Sequence, residues 1–268
     1  MAAKARWSRW VLGAIGVAFA CVAYSYLTLP DVRVLATTNP ETTAFIELRR
    51  DEAHDDGKSF NLRRKWVPYA RISSHLKRAV IVAEDSAFFE HEGLDYEQIK
   101  ESLEASLEDG GPMRGASTIT QQLAKNLYLS PSRNPLRKVK EVIITRRLET
   151  ALSKRRIFEI YLNSIEWGDG IFGCEAAARA YFGKSAAELG PSEAALMAGA
   201  IINPRVHSPA KPTRRLLRRQ QIILKRMGGV VPPPDAPAAG DPPTAPAASP
   251  GEPVTEPPSE KPAEKPPA

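Results

Sequence analysis

The stretch Gly115–Leu127, GASTITQQLAKNL, decides how the rest of the chain is read. It is dense in hydroxyls and amides where an ordinary core helix is apolar. At helical spacing it divides into two rows. Ile119, Leu123 and Leu127 fall at i, i+4 and i+8 on one face. Ser117, Gln121 and Lys125 form a second row, about 200° away at 3.6 residues per turn. Thr118 and Gln121 fit a capping box, so the helix is expected to begin near Thr118. One stripe can enter a core. The other offers a hydroxyl, an amide and an ammonium, to a ligand or simply to water.

Two flanking blocks bear on that choice. Upstream is AVIVAEDSAFFEHEGLD, Ala79–Asp95. Glu84 and Asp85 follow an apolar run and are expected to end a buried helix, although an acidic pair at a helix end also serves as a solvated cap. Phe88 taken alone reads as core, and His91 as a structural histidine. Downstream is RNPLRKVKEVIITRRLE, Arg133–Glu149, with Arg133, Arg137 and Glu141 at i, i+4 and i+8 and Lys138 and Lys140 beside them. Alone, this is a charged face laced by i, i+4 pairs. Combined, the blocks suit chemistry at a sugar–phosphate bond. A carboxylate removes a proton from an attacking hydroxyl, while Lys125, Arg133 and Arg137 stabilise a departing diphosphate. Arginine contributes a bidentate fork for phosphate, lysine a point charge.

Around these blocks the signals are mostly helical. Ser73 or Ser74 can cap a helix through Leu76, Val80 and Ala83, and Ile99, Leu103 and Leu107 mark another. Asn134–Pro135 opens a helix through Val139, Ile143 and Leu152, with proline at the first helical position. Ser153 caps the next. Ser185 with Glu188 forms a capping box, Ser192 precedes the EAALMAGAI run, and Thr213 begins a last, basic helix. A hairpin is expected around Thr42–Leu62. With no internal repeat and no βαβ alternation, the fold class is mainly α, and the domain runs from residue 45 to 227.

The termini differ in kind. Val11–Leu29 carries no charge and follows Lys4, Arg6 and Arg9. About 19 apolar residues suffice to span a bilayer. Residues 1–10 are therefore expected in the cytoplasm, 11–29 as one transmembrane helix, and the domain outside the membrane. A cleaved signal peptide is the alternative, but the apolar run exceeds the usual length of its core. Residues 231–268, rich in Pro, Ala and Glu and lacking aromatics, read as a disordered tail. Cys21 and Cys174 are the only cysteines, one of them in the expected span, so an intrachain disulfide is not expected. With four histidines, no zinc-site spacing can be assembled. The net charge of +6 suits an anionic lipid surface or a phosphorylated lipid substrate. Nucleic acid is not expected as a partner of a domain facing outward.

These motifs, in this order, resemble those of the monofunctional biosynthetic peptidoglycan transglycosylases, glycosyltransferase family 51. The resemblance runs from about Phe60 to Pro209. It adds KRRIFEIYLNSIEWGDGIFGCEAAARAYFGK, Lys154–Lys184, and EAALMAGAIINPRVHSP, Glu193–Pro209, to the three blocks above. It implies a lysozyme-like domain with a small membrane-associated jaw, mobile near Tyr96–Met113. The implied activity is polymerisation of lipid II into β-1,4 glycan, with inversion at C1 of N-acetylmuramic acid and release of undecaprenyl diphosphate. Residue by residue, it makes Glu84 the general base and Glu141 the second glutamate, near the donor diphosphate. Ser117, Gln121, Lys125, Arg133 and Arg137 bind donor sugar and diphosphate, with Asp85, Phe88 and His91 in support. A divalent cation, Mg²⁺ or Mn²⁺, is implied near Glu141, and no organic cofactor. Implied partners are lipid II, the growing glycan chain, membrane lipid, cell-wall synthesis or division proteins, and a moenomycin-type inhibitor.

Two other functions share the shape. A lytic transglycosylase or muramidase cleaves glycan with a general acid and has no use for cations around a diphosphate. An inactive cell-wall scaffold has no need of both Glu84 and Glu141. A penicillin-binding transpeptidase is not expected: Ser74-His75-Leu76-Lys77 has the SxxK spacing but lies among the helices above, without a KTG triad.

Overall fold

Small hydroxyl and carboxylate side chains start most of the helices in a computed structural model of the chain, and their positions set the architecture. It describes residues 28–111, 115, 117–129 and 135–229, together with 10, 13, 16, 17, 20 and 24. The tail at 231–268, Cys21, Arg133, Asn134 and most of residues 1–29 therefore lie outside the described residues. Among the described residues, no helix is long and apolar enough to cross a membrane.

Helix α1, Ala44–Asp55, stands where a hairpin was expected. Thr43 accepts a hydrogen bond from the Ile46 N–H at 3.1 Å and so caps it. Good helix formers follow (Glu47, Leu48, Arg49, Arg50, Glu52), and only Ile46 is buried, so local preference outweighs the β-branched residues ahead of it. The strands are short: β1 (Arg63–Arg64), β2 (Glu166–Gly168) and β3 (Ile171–Phe172). Their order is β1–β3–β2, with β3 parallel to β1 and antiparallel to β2. Asn163 extends this patch, accepting from the Val67 N–H at 2.9 Å and donating to the Val67 carbonyl at 3.0 Å.

Helix α2, Ser74–Glu84, starts at Ser73 as expected and buries Leu76, Ala79, Val80 and Ile81 against α8, Pro191–Ala200. That helix begins at Gly190–Pro191, just before Ser192, and packs in turn on α9, Arg214–Arg226, capped by Thr213. A second group joins α4 (Ile119–Tyr128), α5 (Pro135–Ala151) and α6 (Lys154–Ser164). From Arg155 to Ser164 all of α6 is buried, which makes it the centre of the domain. Its Arg156 reaches back to the N-terminal connector, donating to the Leu35 and Thr38 carbonyls and to Asn39 Oδ1, each at 2.8 Å. Helix α7, Cys174–Phe182, closes over the strands, and Ser185 with Glu188 caps a single 3-10 turn.

Helix α3, Tyr96–Asp109, stands apart. Asp95 caps it and Gly110, at φ 65°, ends it, yet none of its residues is buried. Leu103 is 48% exposed and Leu107 76%.

Candidate active site

Glu84 is the last residue of α2, where the apolar run Val80–Val82 has carried the chain through the core and released it at a cleft of about 380 Å³. Asp85, Ser117, Gln122, Arg219 and Arg226 also line this cleft. The Glu84 side chain keeps only 11% of its exposure. Burial raises its pKa above the ordinary glutamate value. A hydrogen bond from Gln122 and the charges of Arg219 and Lys125 oppose that rise. Gln122 Nε2 donates to Glu84 Oε2 at 3.0 Å, and an Arg219 nitrogen lies 3.5 Å from Oε1. The Tyr161 hydroxyl, buried in α6, donates to Gln122 Oε1 at 2.9 Å. That bond fixes which end of the amide faces the carboxylate.

Asp85 has a different task. Buried, it accepts from the Ile119 N–H at 2.9 Å, at the positive N-terminus of α4, and from His91 Nε2 at 3.0 Å. His91 Nδ1 accepts from the Gly93 N–H at 3.1 Å, which leaves the ring proton on Nε2, facing Asp85. Thr118 Oγ1 donates to the Gly93 carbonyl at 2.7 Å. Gly93 has φ 84°, and a Cβ there would lie 2.7 Å from Thr145 Cγ2 and 2.8 Å from Glu149 Cγ. No other residue fits. The loop after α2 is thus pinned to α4 and α5, which holds Glu84 against the cleft.

The second carboxylate sits on α5. Glu141 keeps 4% of its side-chain exposure and receives Arg137 at 2.8 Å and Lys138 on its other oxygen. Lys125 on α4 is within electrostatic reach of Glu84 and Glu141 alike, and burial lowers its pKa despite both. An anion arriving between α4 and α5 would meet Lys125, Arg137 and Lys138 together. A divalent cation at Glu141 does not fit this donor set, because both carboxylate oxygens already face cations. Asp85, His91 and Asp95 form a group of three potential ligands, but their facing atoms hold one another, Ile119, Gly93 and the N-cap of α3.

Set against the sequence, the expected residues divide. Glu84, Asp85 and Ser117 come together at the cleft, His91 backs Asp85, and Lys125, Arg137 and Glu141 form the cationic half. Arg133 lies outside the described residues. Phe88 is core, packed edge-on to Phe89 at 4.8 Å. Gln121 is a correction. It is 3% exposed, its Oε1 accepts from the Thr118 N–H at 3.0 Å to close the capping box, and it does not line the cleft. The glutamine at the cleft is Gln122, which with Lys125 makes an i, i+3 stripe. Ser117 precedes the helix and belongs to no row on it. Tyr161 and Arg219 were also missed: Tyr161 lies among the apolar residues of the helix after Ser153, and Arg219 among several arginines of the basic helix after Thr213.

The helical domain thus sets one buried carboxylate beside a cleft and a second among three cations, which offers a proton acceptor and a place for an anion. The chain belongs to the transglycosylase family, whose model matches residues 51–228. It is 50% identical over 203 residues to a biosynthetic peptidoglycan transglycosylase of Azoarcus sp. (strain BH72), covering 75% of this chain and 87% of that one. A protein of the same name from Aromatoleum aromaticum is 55% identical over 167 residues, 62% of this chain and 73% of that one. Another, from Dechloromonas aromatica, is 48% identical over 203 residues, 75% and 87% respectively.

Proposed function

We propose that the protein polymerises lipid II, with Glu84 as general base and the α4–α5 cations as the diphosphate site. The observation that carries this is the division of labour around Lys125: a buried carboxylate of raised pKa on one side, a cation-clamped one on the other. The acceptor's 4-hydroxyl gives its proton to Glu84 as its oxygen bonds to C1 of the donor. The C1–O bond to diphosphate breaks on the opposite face, so configuration inverts. Lys125 and Arg137, with Arg133, meet the charge that develops on undecaprenyl diphosphate. Glu141 keeps Arg137 and Lys138 aligned until that charge arrives. The raised pKa brings the base closer to the working pH, where general-base catalysis is most effective.

The remaining assignments follow the same reading. Residues 11–29 anchor the protein in the inner membrane with residues 1–10 in the cytoplasm. The domain at 45–227 works on the periplasmic side, where both lipid-linked substrates lie. It has a lysozyme-like body with a small membrane-associated jaw, mobile near residues 96–113. Residues 231–268 form a solvated tail.

The raised pKa of Glu84 also suits a general acid, and so favours glycan cleavage as the second reading. Cleavage leaves the Lys125–Arg137–Lys138 cluster without a purpose. Incubation with lipid II alone is expected to yield polymer, and incubation with purified sacculi no soluble fragments. The reverse result would discard the polymerase reading.

A further inference from the structure

Helix α5 has two working faces. Arg137 and Glu141 look toward α4. Roughly 150° around the helix lies a line of Leu136, Val139, Ile143, Arg146 and Arg147. Leu136 and Val139 are exposed apolar side chains on this line. Its second half forms one wall of a groove of about 680 Å³, whose other wall is the connector from Leu29 to Arg33. A groove of this size is in the range that holds small ligands. Its floor is apolar, from Leu29 and Ile143, and its rim carries Arg33, Arg146 and Arg147 against a single carboxylate, Asp31.

We propose that this groove holds the anionic headgroup of a membrane phospholipid, its phosphate on the arginines and its first chain carbons along Ile143, Val139 and Leu136. The inference rests on the reading of residues 11–29 as a membrane span. The apolar run ends at Leu29, itself a wall of the groove, which therefore opens at the height of the lipid phosphates. The charge balance selects an anionic headgroup over a zwitterionic one. Asp31 and Arg33 form a bidentate pair within the connector, with Arg33 Nε at 2.9 Å and a terminal guanidinium nitrogen at 2.8 Å from the two carboxylate oxygens, so the groove's net positive charge comes from Arg146 and Arg147. Arg146 donates to the Tyr96 hydroxyl at 2.9 Å and the Glu92 carbonyl at 3.2 Å, and the exposed Glu92 carboxylate lies 3.6 Å from it. A guanidinium has five N–H donors, so these bonds orient it without exhausting it. A lipid there would touch the helix that carries Glu141 and, through Arg146, the start of α3.

The test uses the full chain in detergent, with lipids retained from an equimolar phosphatidylglycerol–phosphatidylcholine mixture counted by native mass spectrometry. Wild type is expected to retain phosphatidylglycerol preferentially. Arg33→Gln and Arg147→Gln should each weaken that preference about five-fold, the worth of one cation at a lipid surface. Asp31→Asn should strengthen it, a gain that misfolding cannot produce. Equal retention of both lipids, or variants indistinguishable from wild type, overturns the proposal. Titration with dihexanoyl phosphatidylglycerol, glycerol phosphate and inorganic phosphate reads the groove without a bilayer. Saturable binding of the short lipid alone supports a lipid site, and equal binding of all three overturns it. Alkaline extraction from vesicles tests the span separately, so a failed anchor and a failed headgroup site give different results.

Discussion

Helices α3 and α4 carry the same apolar spacing and meet opposite fates. Ile99, Leu103 and Leu107 on one, and Ile119, Leu123 and Leu127 on the other, fall at i, i+4 and i+8. On α4 all three are buried, and so are Thr120, Gln121, Ala124 and Asn126 around them. On α3 nothing is buried. An apolar stripe reports that a helix will form and has a face to hide. It does not name what hides it. Helix α4 lies between α5, α6 and α1, while α3 is held at its start by the Asp95 cap and the Arg146–Tyr96 bond and near its end by Ser106, which donates to the Gly111 carbonyl. The chemistry is expected to follow that division, residing on α4 and its neighbours rather than on α3.

Activity separates the two helices most strongly. Glu84→Gln should lower lipid II turnover by roughly 10²–10⁴-fold, the usual worth of a general base. Glu101→Gln on exposed α3 should leave turnover within about two-fold of wild type. Equal losses would place chemistry on α3. Stability gives the next test. Leu123→Ala should cost about 2–5 kcal/mol and Leu107→Ala less than about 0.5 kcal/mol, read by denaturant unfolding. A large cost at Leu107 would mean that α3 has a partner in the folded protein.

The two glutamines of α4 sharpen the division further. Gln121→Ala should destabilise by about 1 kcal/mol through the broken cap while largely sparing turnover. Gln122→Ala should do the opposite and move the acidic limb of the kcat/KM profile upward. The sign follows from its hydrogen bond, which lowers the Glu84 pKa against burial. Tyr161→Phe frees the same amide and should shift the limb in the same direction by less. Thermal melts of Glu84→Gln carry the smallest effect. A carboxyl whose folded pKa is raised contributes stability at low pH and loses it as pH rises through that value. The variant should therefore melt above wild type at neutral pH and converge with it in acid.

What the sequence disclosed was local. The caps at Ser73, Ser153, Thr213 and Ser185 and the apolar rows gave the helices, because each signal sits within one turn of what it specifies. Glu84, Lys125, Arg137 and Glu141 could be nominated because charged side chains beside apolar runs are costly unless used. Contacts across the fold were not legible. Arg219 stands 135 positions from Glu84, and no local pattern separates it from Arg215 or Arg218. Gln121 was misread because one amide was given two tasks. The capping role turns Gln121 into the core, and the cleft-lining glutamine, the i, i+3 partner of Lys125, is the next residue along. The hairpin expected near Thr42 failed because Thr43 is worth more as a cap than as a strand residue.

The Arg156 clamp on residues 35–39 has a mechanical consequence. Where residues 11–29 cross the bilayer, the connector that follows is a bracket rather than a leash, since three carbonyl and amide oxygens bolt it to the innermost helix. The cleft then rides at one altitude above the lipid, and substrates confined to that plane find it by a two-dimensional search. Loosening the bracket would leave every reacting group intact and still cost encounters, because the mouth of the enzyme would wander off the sheet on which its substrates travel.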